Sequence, residues 1–171
     1  MPKLISTERN LPWITGESEH NSYVSETLPP DEQCTAAFAV VVKDRQLLFT
    51  DLREGERQAR MLDIPGGHRD RLESPEDAAI RETYEETGVR VKVIKPVGYK
   101  QTTIFSKKPD GYPYPYPTAH MAFYLCEVVS ESDFNGNDET HGRMWLPLNE
   151  LDKSKWYVKN KAFLDAILNF L

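Results

Sequence analysis

The stretch Arg81–Gly88 reads Arg-Glu-Thr-Tyr-Glu-Glu-Thr-Gly and carries three carboxylates, at Glu82, Glu85 and Glu86. At offsets i, i+3 and i+4 the acids share one face of a helix. Like charges at i, i+4 cost about 0.2–0.5 kcal/mol. The last turns of a helix, where the dipole is negative, disfavour anions further. Gly88 marks that end, and Arg81 offsets part of the cost through its i+4 partner Glu85. A solvated acidic face is the ordinary reading of a Glu-rich helix, but the placement here favours a cation. Mg²⁺ takes carboxylate oxygens, keeps waters and leaves positions for substrate phosphates. A second ion can join once a diphosphate arrives. Upstream, the Gly66-Gly67 turn lets backbone come close to a ligand or metal. Three acids and one near carbonyl form an open site suited to phosphate chemistry.

Such a site needs a framed helix. Ser74 is a good N-cap, Pro75 suits the first helical position, Asp77 the third, and Gly88 the C′ position. The helix is predicted over 75–87, with Ala79, Ile80, Thr83 and Tyr84 on its core side. Apolar runs predict strands over 35–42 and 47–51, joined by a turn at 43–46, and a short strand over 61–64 before the glycine turn. Further strands are expected over 89–105, 119–129 and 143–148. A turn of helix at 149–156 and an amphipathic helix at 158–171 complete the pattern. Strands interleaved with two or three helices predict an α/β (α+β) fold, a mixed sheet covered on both faces.

The chain has 171 residues and a formal net charge of −6, which fits one domain. No basic run is present, so a nucleic-acid partner is not expected. A small anionic substrate remains compatible, because a bound cation inverts the local field. The two cysteines, Cys34 and Cys126, lie in apolar runs and read as buried thiols. The four histidines lack zinc-site spacing. No membrane span or signal-peptide core is evident, so a cytoplasmic protein is expected. Residues 1–33 are polar and end near Pro29-Pro30. They read as a mostly irregular extension, anchored by Trp13 or Tyr23, whose role the sequence leaves open; the domain itself spans 34–171.

The run from Gly67 to Val89 resembles the signature box of the Nudix hydrolases: Gly, five residues, Glu, seven residues, Arg-Glu, an aliphatic, any residue, Glu-Glu, any residue, Gly, an aliphatic. Gly67, Glu73, Arg81, Glu82, Glu85, Glu86, Gly88 and Val89 match. Thr83 replaces the first aliphatic. Chance agreement at the seven most restricted positions is roughly one in 10⁸ per start position. The resemblance implies an α/β/α sandwich and hydrolysis of a nucleoside diphosphate linked to a moiety X, with water attacking phosphorus. It assigns Glu82, Glu85, Glu86 and the Gly67 carbonyl to Mg²⁺, for which Mn²⁺ can substitute. It gives Glu85 a second candidate role as base, and Arg81 an orienting role through Glu73 and Glu85. Glu139, in the loop before the last strand, is the other candidate base. A Nudix-fold sensor without turnover is the alternative, and a homodimer is left open.

The loop Gly111–Pro117 alternates proline and tyrosine, which favours an extended path. Either its tyrosines pack on the domain, or Tyr114 and Tyr116 stack on a flat substrate group. It resembles the proline-aromatic array of the NADH pyrophosphatase branch, without that branch's zinc cysteines. Arg69 and Arg71 lie near the glycine turn, where Arg69 is the candidate phosphate contact. Arg53, Arg57 and Arg60 form a further basic loop interleaved with acids.

Overall fold

The computed structural model describes residues 1–54, 59–108 and 110–169, with the side chains of residues 54, 59 and 60 left undescribed. Strands β1 (Lys3–Arg9) and β2 (Ser18–Val24) come first, followed by β3 (Cys34–Lys43), β4 (Gln46–Glu54), β5 (Ala59–Asp63) and β6 (Gly66–His68). Helix α1 (Pro75–Thr87) leads to the long strands β7 (Val89–Ile104) and β8 (Thr118–Glu131), then β9 (Thr140–Pro147) and helix α2 (Lys155–Leu168). Neighbours run β1-β2-β7-β8-β3-β4-β5, with β6 also on β3 and β9 also on β4. β3 and β8 pair in parallel and the other pairs are antiparallel, which makes the sheet mixed.

The alternation of β3 explains the layering. Ala37, Ala39 and Val41 face α1, where Ala78 and Ala79 pack with Ala122, Tyr124 and Val89. Val40 faces α2, where Tyr157, Phe163, Leu164 and Ile167 pack with Phe49 and Phe123. Both faces of β3 are therefore apolar, as a central strand of a covered sheet must be. The result is the expected α/β/α sandwich.

Three expectations change. Residues 1–33 are not an irregular lead-in: β2 pairs with β7 from Ser18↔Ile104 to Val24↔Gly98, and β1 pairs with β2. Hydrophobic patterning hid β2 because it buries His20, Asn21 and Ser22. These polar groups are satisfied locally: His20 Nδ1 and Thr102 Oγ1 lie 2.8 Å apart, and Thr7 donates to Asn21 Oδ1 at 2.6 Å. Secondly, the core side of α1 holds Ala78, Ala79, Thr83 and Thr87, whereas Tyr84 is exposed under the Arg90 guanidinium, 4.2 Å from its ring centroid. The C-terminal helix also starts earlier than 158, capped by Ser154, whose Oγ accepts from Tyr157 N. No described helix is long and apolar enough to cross a membrane.

Candidate active site

Helix α1 is built as its sequence demands. Ser74 Oγ accepts from Asp77 N at 3.1 Å, and Gly88 closes the helix at φ 68°, its N–H bonded to the Tyr84 carbonyl. The Asp77 carboxylate accepts from the Ser74 hydroxyl at 2.7 Å. Thr83, the departure from the box, is fully buried and donates its hydroxyl to the Ala79 carbonyl. The helix interior thus absorbs the polar group without an orphan.

The box side chains meet around Arg81. Its Nε and Nη2 reach the two oxygens of Glu73, each at 2.9 Å, a bidentate pair. Nη1 donates to Glu82 at 2.9 Å and to Glu85 at 3.0 Å, and Nη2 to the His68 carbonyl at 3.1 Å. One cation therefore ties the α1 acids to the glycine turn. Glu73, bonded by Arg81, is held below the ordinary carboxylate range. Glu86 has no such partner. It is 8% exposed and accepts from Gly66 N–H at 3.0 Å. Burial, ahead of the nearby charges of Glu82, Asp63 and Glu139, pushes its pKa up to about 8. Glu82 is raised as well, by burial first and by Glu85 and Glu139 among its neighbours, although Arg81 opposes the shift.

The Glu139 loop is pinned to the helix end. Asn137 donates to the Glu85 carbonyl at 3.1 Å, while its Oδ1 accepts from the Glu139 and Thr140 amides at 2.9 and 3.0 Å. Arg53 N–H bonds the Glu139 carbonyl from β4. Arg143 on β9 donates to the Thr87 carbonyl at 3.0 Å, which puts a cation at the negative end of α1.

The NUDIX domain family matches residues 33–167. The chain belongs to this family. A MutT-like protein of Streptomyces ambofaciens is 37% identical over 92 residues, which covers 50% of this chain and 57% of that relative. The match thus spans little more than half of that protein's length. An 8-oxo-dGTP diphosphatase of Haemophilus influenzae is 25% identical over 124 residues, 72% of this chain and 82% of the relative. Among solved structures, a mutant of the Bacillus subtilis pyrophosphohydrolase BsRppH superposes with a TM-score of 0.64 at 22% identity, over 88% of this chain and 89% of its own.

In the Nudix box, a Cβ added to Gly67 would stand 2.7 Å from the Glu82 carboxyl carbon. Only glycine leaves backbone and acid this close. Among the described residues, no three His, Cys, Asp or Glu side chains converge enough to hold an ion by themselves, since Arg81 engages Glu82 and Glu85. What fits a hard cation is a partial donor set, the mutually repelling carboxylates of Glu82 and Glu86 beside a bare backbone turn. Sequence reasoning missed three contributors. Asp63, in β5, is a half-buried acid whose Oδ1 is shut off from solvent with no hydrogen-bond partner among the described residues, and burial raises its pKa to about 7. Asp inside an otherwise apolar strand was its only signal. Asn137 and Arg143 gave none, because their partners at the end of α1 are backbone groups.

The Pro/Tyr loop divides. Tyr114 Oη lies 2.9 Å from His68 Nε2, and the two rings stack with centroids 5.6 Å apart, which places Tyr114 beside the residue after Gly67. Tyr116 instead donates to the Ser106 carbonyl at 2.7 Å. Arg69 is half-buried, and its charge helps hold Glu73 down. Arg57, and the side chain of Arg60, lie outside the described residues.

Proposed function

We propose that the chain is a metal-dependent pyrophosphohydrolase that cleaves a nucleoside diphosphate linked to another moiety. The observation that carries this reading is the buried Glu86 carboxylate, crowded by Glu82, Asp63 and Glu139 and supported, among the described residues, by one backbone N–H. An acid cluster this poorly compensated calls for a cation, and the intact box argues for turnover over ligand sensing. Glu82, Glu86 and the Gly67 carbonyl are the groups that would hold Mg²⁺, with Glu85 as a further ligand. When bound, the ion neutralises the diphosphate and lowers the pKa of water.

The chain's own residues supply the rest. Arg81 fixes the carboxylate orientations through Glu73, Glu82 and Glu85. Glu85, on the exposed side of the cluster, or Glu139, on its pinned loop, accepts the proton of the attacking water. That water oxygen bonds to phosphorus, the bridging P–O bond breaks, and the leaving phosphate departs with the electron pair. Tyr114 and Arg69 would contact the substrate, the ring on the X or base moiety and the guanidinium on a phosphate. Tyr116 bonds away from the His68 contact and is the weaker candidate.

A screen of nucleoside triphosphates, dinucleotides, nucleotide sugars and coenzyme A, with Mg²⁺ or Mn²⁺ and phosphate release after coupling, tests the reading. At least one substrate should be hydrolysed, with ¹⁸O from water in a phosphate product, and EDTA should stop the reaction. No release with either metal, or release that persists in EDTA, overturns it.

A further inference from the structure

Beside the glycine turn lies a cavity of about 390 Å³, within the usual range for small-molecule sites. Trp13 and Ile14, from the β1–β2 connection, line it together with Tyr112, Tyr114, His120 and Met121. We infer that this cavity receives the planar base of the nucleotide and that Trp13 stacks on it, so that the N-terminal hairpin forms part of the substrate site. The inference rests on the nucleotide reading above and adds the moiety recognised and the residues that recognise it.

The connection that carries Trp13 is held in place at both ends. Leu11 is buried, and its N–H donates to Ser18 Oγ at 3.1 Å. Ile14 N–H bonds the Leu11 carbonyl at 3.0 Å, and Phe105 N–H bonds the Glu17 carbonyl at 2.9 Å. Trp13 itself is 72% exposed. A large indole presented at the rim of an apolar cavity by a tethered turn is suited to contact a ligand face, because little conformational entropy is lost on stacking. Tyr112 and Tyr114 meet edge to face, centroids 5.4 Å apart, and Tyr114 is in turn stacked on His68. The aromatic wall therefore begins one residue from Gly67, where the phosphates would lie.

The lining also selects the class of ligand. Rings and aliphatic groups dominate the lining, which suits a flat heterocycle. Thr35, His68 and Thr102 add polar groups to the lining, and His120 is the one we assign to the edge of a base. His120 is buried, its Nε2 reaches Gln101 Oε1 only at 3.4 Å, and its Nδ1 makes no hydrogen bond of ordinary geometry among the described residues; burial, opposed in part by the Gln33 backbone, lowers its pKa.

The test is metal-free calorimetry with AMP, GMP, CMP and UMP, and ribose 5-phosphate as the base-free control. These probes carry no anhydride, so binding is read without turnover and stands apart from the hydrolysis screen. At least one nucleotide should bind more tightly than ribose 5-phosphate. Trp13→Ala should weaken that nucleotide roughly 5- to 150-fold, leave ribose 5-phosphate unchanged and keep the wild-type melting temperature. Trp13→Phe should restore most of the loss. Leu4→Ala, on β1, controls for general loosening of the hairpin. Wild-type binding of every probe by Trp13→Ala, or no preference for any nucleotide over ribose 5-phosphate in the parent chain, overturns the inference.

Discussion

Replacing Glu86 by glutamine should stabilise the metal-free protein at neutral pH while abolishing turnover. Burial raises the Glu86 pKa from 4.5 to about 8 in the folded chain. Unfolding restores the ordinary value, so between these limits the native state binds more protons than the unfolded one. Its contribution is fully present below pH 4.5 and is lost as the pH rises through about 8. The whole shift corresponds to about 5 kcal/mol, of which about 3 kcal/mol is already lost at pH 7. Glutamine stays neutral and can still accept from Gly66 N–H, but it brings an amide NH₂ into a buried site, at about 1–3 kcal/mol if unpaired. The expected net gain is about 0–2 kcal/mol at pH 7, larger at pH 8.5, and a loss near pH 4.5. Urea unfolding in EDTA at these three pH values reads the difference directly. Parallel stability curves for the two proteins would show that Glu86 is not the strained group. With saturating Mg²⁺ the order should reverse, because the ion stabilises only the form that binds it.

Ser74→Ala should lower stability by about 0.5–2 kcal/mol through loss of the Asp77 N–H cap; an unchanged urea midpoint would mean that water replaces the hydroxyl without cost. Tyr114→Ala should raise KM roughly 5- to 150-fold with kcat little changed, since a stack holds substrate and transition state alike. If instead the ring only packs on His68, Michaelis curves will show a normal KM alongside a lower melting temperature. Glu85→Gln and Glu139→Gln separate the two candidate bases: the true base should lose about 10²–10⁴ in kcat together with the acid limb of its pH profile, and equal, small losses in both variants would exclude both.

The sequence by itself determined helix α1 and the family to which its box belongs. Ser74, Pro75 and Gly88 act through bonds that span only a few residues, so the bounds 75–87 follow from local rules alone. The spacing of Glu82, Glu85 and Glu86 likewise fixes them on one helix, and the box around them identifies the family. What the acids experience was not legible. Glu82, Glu85 and Glu86 are the same residue type in one run, yet Glu86 is buried and pushed up while Glu85 stays on the exposed side with Arg81. That difference comes from β5 and β6, which bring Asp63 and Gly66 against the helix from twenty or more residues upstream, and from the Glu139 loop about fifty residues downstream. The hairpin of β1 and β2 was hidden for a related reason. Its inner strand, β2, buries polar side chains whose partners, such as Thr102 for His20, lie on a strand some eighty residues away. Apolar periodicity records burial only where burial is apolar. Where a fold buries hydrogen-bonded or charged groups, their partners are chosen by the tertiary structure, and only there can the site be read.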